Sequence, residues 1–337
     1  MVTDQERLRE QLERFRSDFE KLRAEVAKVV VGQDAIVEAT LIALIAGGHV
    51  LLEGVPGLGK TLLVRTIADA LHSQFSRIQF TPDLMPADLI GTHVLLDSPQ
   101  GERKFEFQRG PVFANVLLAD EINRATPKTQ SALLEAMQEH AVTVGGTRYR
   151  LDELFFVMAT QNPLEMEGTY PLPEAQLDRF FFKLLVQFPT TEQIETILDR
   201  TTESDQPQAE AVMESDRVVE MARLAREIPV ADDVRRYGIA IVMATHPDQP
   251  QATELTRRFV RYGSSPRGAQ ALILAAKIRA ILDQRFHVAQ EDLRDVAHNV
   301  LRHRLILNFE GQAESIQPDN VIDDILANTV MNAHSSS

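Results

Sequence analysis

Residues 50–68 read Val50-Leu51-Leu52-Glu53-Gly54-Val55-Pro56-Gly57-Leu58-Gly59-Lys60-Thr61-Leu62-Leu63-Val64-Arg65-Thr66-Ile67-Ala68. An apolar run, a glycine-rich octet and a stretch of helical periodicity follow one another, the strand–loop–helix setting that a phosphate-binding loop requires. Gly54, Gly57 and Gly59 let the backbone wrap so that successive N–H groups point inward at phosphate oxygens. A helix starting near Lys60 adds the positive end of its dipole. Lys60 is then placed to reach the β- and γ-phosphates, and Thr61 to set its hydroxyl on Mg²⁺. The whole run of Gly54, Val55, Pro56, Gly57, Leu58, Gly59, Lys60, Thr61 and Leu62 forms the candidate nucleotide cradle, for ATP or ADP. The bland alternative is a glycine-rich turn that merely contains Gly-Lys-Thr.

A second stretch supplies an independent check. Asn115-Val116-Leu117-Leu118-Ala119-Asp120-Glu121 is a buried-strand pattern ending in two acids, a costly arrangement unless a cation or solvent meets them. Asp120 suits a water-mediated hold on Mg²⁺, and Glu121 suits polarising the water that attacks a γ-phosphate. A polar strand cap is the competing reading.

Around these two stretches, residues 30–188 alternate short apolar runs with amphipathic segments, as in a parallel sheet covered by helices. Strands are expected at 49–52, 77–80, 116–119, 155–160 and 181–186. Hairpins are expected at 142–144 with 148–150, turning on Gly145-Gly146, and at 93–96 with 104–107, turning over 97–101. Ahead of the sheet, Leu8, Leu12, Phe15, Phe19, Leu22, Val26 and Val29 form a heptad seam on a helix over residues 1–28. Packing on its own domain is the favoured use of that seam, and zipping to a partner the other. Residues 191–217 read as a linker with an exposed middle at 203–207. Helices are expected at 218–228, 232–245, 266–284 and 290–305, with Ser265-Pro266 as a helix start. They form an all-α domain over 218–332, followed by a frayed tail at 333–337.

Composition narrows the function. The 337 residues hold 35 Lys and Arg against 49 Asp and Glu, a net charge of −14. That balance argues against a general nucleic-acid or anionic-membrane surface, though not against a locally basic groove. There is no cysteine, which removes disulfides, thiolate metal sites and cysteine nucleophiles. The longest apolar stretch, residues 39–46, is too short to span a bilayer, and the charged start lacks a signal-peptide core. A cytoplasmic protein is expected. The nine histidines are scattered: His298 and His303 lie off a common helical face, and no His-Glu-x-x-His or Gly-x-Ser-x-Gly occurs.

Past the acids stand Ala159-Thr160-Gln161-Asn162-Pro163 and Leu172-Pro173-Glu174-Ala175-Gln176-Leu177-Asp178-Arg179-Phe180. With the octet, the Asp120-Glu121-Ile122-Asn123-Arg124-Ala125 string and Glu135-Ala136-Met137-Gln138-Glu139, this order resembles the MoxR family of AAA+ ATPases, over about residues 28–310. The resemblance implies an α/β P-loop NTPase core (29–190) with a helix-2 insert at 95–108 and a hairpin at 142–149 before the sensor-1 strand, then the α-helical lid. It assigns Asn162 to sensor 1, Arg179 to the arginine finger, Arg267 to sensor 2 and Gly32-Gln33 to the segment against the adenine. From the residues alone, Asn162 is equally a turn residue and Arg179 a surface partner of Asp178 or Glu174. Whether Arg267 serves its own subunit or the next stays open, as does whether Gln79 or Thr81 restrains Glu121.

By the same resemblance the protein is a Mg²⁺-dependent ATPase that assembles into a ring, hexameric by analogy. It would remodel a client protein, in company with a partner bearing a von Willebrand factor A domain. Arg103, Lys104, Arg148 and Arg150 would line a basic pore. Two rivals from related rings are a nucleic-acid translocase and a metal-chelatase-type motor subunit. Against the first stand the acidic balance and the few aromatics, 6% with no Trp.

Overall fold

The structure, a computed structural model, describes residues 4–97, 103–163, 168–202 and 207–329. Helix α1 (Asp4–Val29) turns its heptad seam inward, with Leu12, Phe15, Phe19, Leu22 and Val26 all buried. Burying five such side chains is worth on the order of 10 kcal/mol, so the seam serves this chain's own core. Helix α2 (Asp34–Ile45) is apolar on nearly every side and is buried from Ala39 to Ile45. The expected phosphate unit follows as β1 (Val50–Glu53), the glycine loop and α3 (Lys60–Ala70).

The chain continues through β2 (Phe75–Gln79), the short α4 (Pro86–Ile90), β3 (Gly91–Asp97), β4 (Arg103–Arg109) and β5 (Val116–Asp120). Next come α5 (Pro127–Glu139), β6 (Ala141–Val144), β7 (Thr147–Arg150), β8 (Phe156–Gln161), α6 (Glu174–Leu177) and β9 (Phe182–Leu185). Five of these strands form one parallel sheet, ordered β2-β5-β8-β1-β9. Each was expected from the sequence within two residues of its bounds. The apolar runs of β1, β5 and β8 are buried on both faces, as a sheet covered by helices demands.

Both hairpins form. In β6–β7 the turn residues Gly145 and Gly146 carry φ of +56° and +81°, angles that a side chain would resist. The β3–β4 hairpin pairs Thr92 with Gln108 and Leu95 with Phe105; its turn, expected at 97–101, falls largely outside the described residues. The two hairpins touch through Phe107 and Tyr149, stacked at 4.1 Å.

The reading of 191–217 as a linker needs correcting. Its first part is helix α7 (Thr191–Thr202), whereas most of its expected middle at 203–207 lies outside the described residues. Ile194, Ile197 and Leu198 recur at helical spacing. Thr190 starts the helix by taking the Gln193 N–H at 3.4 Å while its own N–H donates to the Gln193 side-chain carbonyl at 2.9 Å. Arg200 ties α7 to the end of α1, donating to the carbonyls of Ala27 and Lys28 at 3.0 and 2.5 Å.

The remainder is mostly helical: α8 (Ser215–Glu227), α9 (Asp232–Ala244), α10 (Glu254–Phe259), α11 (Pro266–Leu282), α12 (Gln290–Leu301), α13 (Phe309–Ala313) and α14 (Pro318–Asn328). A two-stranded ribbon, β10 (Val260–Tyr262) with β11 (Ile306–Leu307), interrupts it. Helix α12 ends at Leu301, four residues short of the expected 305, because the chain turns there into that ribbon. Ser265 caps α11 as expected, accepting the Arg267 N–H at 3.1 Å. Among the described residues no helix is long and apolar enough to cross a membrane. The tail at 333–337 lies outside the described residues.

Candidate active site

All five strands run the same way, so their C-terminal ends share one edge of the sheet. Strand β8 lies between β1 and β5; the glycine loop leaves β1, and the two acids end β5. The two motifs therefore face each other across β8. Asn162, buried and directly after β8, stands between them.

Gly57 and Gly59 carry φ of +85° and +74°, and Gly59 is the residue from which α3 starts. A Cβ at Gly57 would meet nothing within 4 Å, so its positive φ and not crowding is what favours glycine there. Lys60 Nζ donates to the carbonyls of Gly54 and Val55 at 2.5 and 3.2 Å. Burial lowers the Lys60 pKa, with Asp120 and Glu121 pulling the other way. Its ammonium thus sits half-desolvated beside the acids, in the position of a cation that a phosphate would draw off. Gln33 braces the loop from behind, donating from Nε2 to Leu58 O at 2.7 Å.

The acids are held by partners that short-range sequence patterns do not reveal. Asp120 Oδ1 accepts the Thr160 hydroxyl at 2.6 Å, and its Oδ2 accepts Arg77 Nη2 at 2.7 Å. Glu121 adopts φ +55°, a left-handed conformation costing a non-glycine residue on the order of 1 kcal/mol. Its N–H on Thr160 Oγ1, at 2.8 Å, helps hold it there. Its carboxylate accepts Gln79 Nε2 and Arg124 Nη1, both at 2.8 Å. Arg77 Nη2 also donates to Gln79 Oε1 at 3.0 Å, which fixes the Gln79 amide so that its NH₂ faces Glu121. Of the two restraint candidates, Gln79 meets Glu121. The Thr81 hydroxyl instead serves Asp83, lowering the pKa of that carboxyl.

A triphosphate with Mg²⁺ fits this donor set: loop N–H groups, an ammonium, one hydroxyl at Thr61 and carboxylates, the few protein ligands that phosphate-bound Mg²⁺ takes. Next to the loop opens a cavity of about 450 Å³, bounded by Val31, Gly32, Gln33, Leu62, Phe188 and Ile197 among others. Phe188 is 73% exposed, and apolar walls beside a phosphate cradle suit the flat face of a base.

Two expected residues lie elsewhere. Arg179 precedes β9, whose Phe182 is level with Val50 at the start of β1. It therefore belongs to the opposite edge of the sheet from its own phosphate loop. Its Nη1 donates to Leu134 O at 3.0 Å, while its buried Nε has no hydrogen-bond partner. Neither Asp178 nor Glu174 takes it up: Asp178 is occupied by Ser265 and Arg304. Arg267 is at that same opposite edge, with Nη1 4.0 Å from Asp178 Oδ2. Arg179 and Arg267 share a cleft of about 970 Å³ between the sheet and the lid.

A phosphate loop, an acidic strand tip and a following helical lid define a P-loop ATPase of the AAA class. Family models agree: residues 49–182 match the ATPase family associated with various cellular activities (AAA), and 252–325 an AAA lid domain. The chain is 44% identical over 308 residues to Chaperone MoxR1 of Mycobacterium tuberculosis, covering 91% of this chain and 81% of that protein. It is 33% identical to Protein MoxR of Methylorubrum extorquens, covering 90% and 93%. A crystal structure of a candidate ATPase from Cytophaga hutchinsonii superimposes with a TM-score of 0.88 at 42% identity, covering 95% and 96%. The chain belongs to the MoxR family of AAA+ ATPases.

Sequence reasoning passed over Arg77, Thr160, Arg124, Phe188 and Arg304. One signal was available for the first: Arg77 is two residues from Gln79 on a strand, hence on the same face. Arg304 carries no local signal.

Proposed function

We propose that the protein hydrolyses ATP in a Mg²⁺-dependent reaction as a ring-forming motor of the cytoplasm that remodels a partner protein complex. The observation carrying the reading is that the glycine loop and the acidic tip flank β8 at one sheet edge, the separation that one triphosphate bridges. The loop N–H groups and Lys60 hold the phosphates, and Glu121 takes the proton of the attacking water. Thr61 and Asp120 would hold Mg²⁺, whose chemistry there is charge neutralisation on the β- and γ-phosphate oxygens. Asn162, between the two motifs, orients the γ-phosphate or the water. Gly32, Gln33 and Leu62 line the base.

Arg179 and Arg267, remote from their own loop, serve the site of the next subunit, which is what favours a ring. Within one subunit the nucleotide contacts then belong to residues 29–190, and the moving lid, which carries Arg267, begins near 218. The client is a protein, engaged in company with a partner bearing a von Willebrand factor A domain, and meets the exposed Lys104, Phe105 and Arg148 of the hairpins. Lys60→Ala is expected to abolish nucleotide binding, and Glu121→Gln to retain ATP while stopping turnover. Unchanged ATPase activity in either variant would overturn the assignment. Glu121→Gln rings stalled with ATP should also retain their client in a pull-down.

A further inference from the structure

The segment carrying Arg179 is gripped from the lid by three consecutive residues just beyond α12. Arg302 Nη1 donates to Lys183 O at 3.2 Å, and His303 Nε2 hydrogen-bonds Phe180 O at 2.9 Å. Arg304 does most. Its Nε donates to Asp178 Oδ1 at 2.9 Å. Its Nη2 donates to the carbonyls of Asp178 and Phe180 at 3.1 and 2.7 Å. Its Nη1 reaches Phe181 O at 3.3 Å and also Val300 O. The carbonyls immediately before and after Arg179 are thus held by one planar guanidinium. Arg304 is only 5% exposed, so these bonds form away from competing water.

The same carboxylate reaches the second arginine. Asp178 accepts the Ser265 hydroxyl at 2.9 and 2.8 Å, and Ser265 caps the helix whose second residue is Arg267. A buried charge pair is weak evidence for stability, because well-packed apolar residues often serve a fold as well. It is better suited to fixing geometry, and what it fixes here is the backbone on both sides of Arg179.

We propose that Arg304, through Asp178, is a positioning residue that sets Arg179 and Arg267 as one unit for the neighbouring subunit's nucleotide. The proposal rests on the reading that Arg179 acts across a subunit boundary. Lid rotation then carries both arginines together, since Arg304 and Ser265 belong to the lid and Asp178 to the finger segment.

The test mixes subunits. Arg304→Met alone should lose about 100-fold in kcat, the cost of a misplacement of about 1 Å, with nucleotide affinity unchanged. Its own phosphate edge is intact, however, so a neighbour with a sound finger should restore it. Mixed with Glu121→Gln subunits, whose finger is intact, Arg304→Met should recover turnover at least about tenfold above either variant alone. An Arg179→Ala mixture with Glu121→Gln is the control. If Arg304→Met misfolds, Arg304→Lys keeps the charge beside Asp178 but lacks the planar fork, and should show a smaller loss with the same rescue. Wild-type turnover in both Arg304 variants would overturn the proposal. So would rescue of Arg179→Ala without rescue of the Arg304 variants, because Arg304 would then only support the fold. If Arg179→Ala itself is not rescued, the cross-subunit reading fails and the proposal falls with it.

Discussion

At one edge of the sheet Lys60 rests on the Gly54 and Val55 carbonyls, Arg77 on Asp120, and Arg124 on Glu121, all partly open to solvent. At the other edge Arg304 is enclosed and spread over Asp178 and four backbone carbonyls. The first edge keeps its charges on partners that a phosphate or a cation can replace, as a site that empties and fills must. The second holds the backbone on both sides of Arg179 in enclosed hydrogen bonds, and the Arg179 Nε, itself buried, has no acceptor. A pocket that exchanges its partners and a frame that keeps them ask for opposite packing, and one sheet provides both.

The largest effect expected from this contrast is at Arg179. Arg179→Ala should lower kcat by about 1,000-fold, the lower end of what such fingers contribute, while leaving affinity for a fluorescent ATP analogue unchanged. Turnover within a few-fold of wild type would break the contrast, because the second edge would then present nothing. A smaller effect concerns its rigidity. His49, at the same edge, hydrogen-bonds Met137 O through Nε2 and accepts the Val157 N–H at Nδ1. Burial pushes its pKa down to about 4, His140 adds to the shift, and the Met137 carbonyl opposes it. The neutral ring is the folded form, so below pH 6.5 the unfolded chain binds a proton that the fold refuses. Stability is complete above pH 6.5 and falls as the pH drops toward 4, by about 3 kcal/mol from this residue. His303, also driven well below the ordinary range by burial, acts in the same direction. Denaturant midpoints measured from pH 7 to pH 4 should fall less steeply in His49→Gln than in the wild type. Equal slopes would mean that His49 is not held neutral.

What was legible in the sequence follows the same division. Residues 54–62 and 116–121 are contiguous, and each is dictated by local backbone chemistry: glycines where φ is positive, acids at a strand tip. They could be read without the fold. Asp178, Ser265, Arg267 and Arg304 come from three separated stretches, and only the tertiary fold joins them; alone, Arg304 looks like any arginine after a helix. The linker reading failed over α7 for a related reason. Its apolar residues are few and none is fully buried, so its order depends on Arg200 reaching α1 and on Gln193 beside Gly32, contacts across more than 150 positions of sequence. The heptad seam was legible as a helix face, and its choice between the chain's own core and a partner was decided only by what covers it.

The smallest effect sharpens the exchangeable edge. Glu121 can act as a base only when its carboxylate is released to a water, and two groups hold it: Gln79 Nε2 and Arg124 Nη1. Gln79 is itself aimed by Arg77, which also pairs with Asp120, so a ligand that draws Arg77 or Asp120 aside loosens Glu121 as well. A hydrogen bond to a charged group contributes about 1.5–3 kcal/mol when enclosed, and less here, where Gln79 is exposed. Gln79→Ala should therefore raise single-turnover hydrolysis by about two- to fivefold, with ATP affinity little changed. Thr81→Val should leave hydrolysis unaltered, since that hydroxyl serves Asp83. A drop in rate on losing Gln79 would show that the amide orients Glu121 for reaction rather than withholding it, and this edge would then be as fixed in its working geometry as the one opposite.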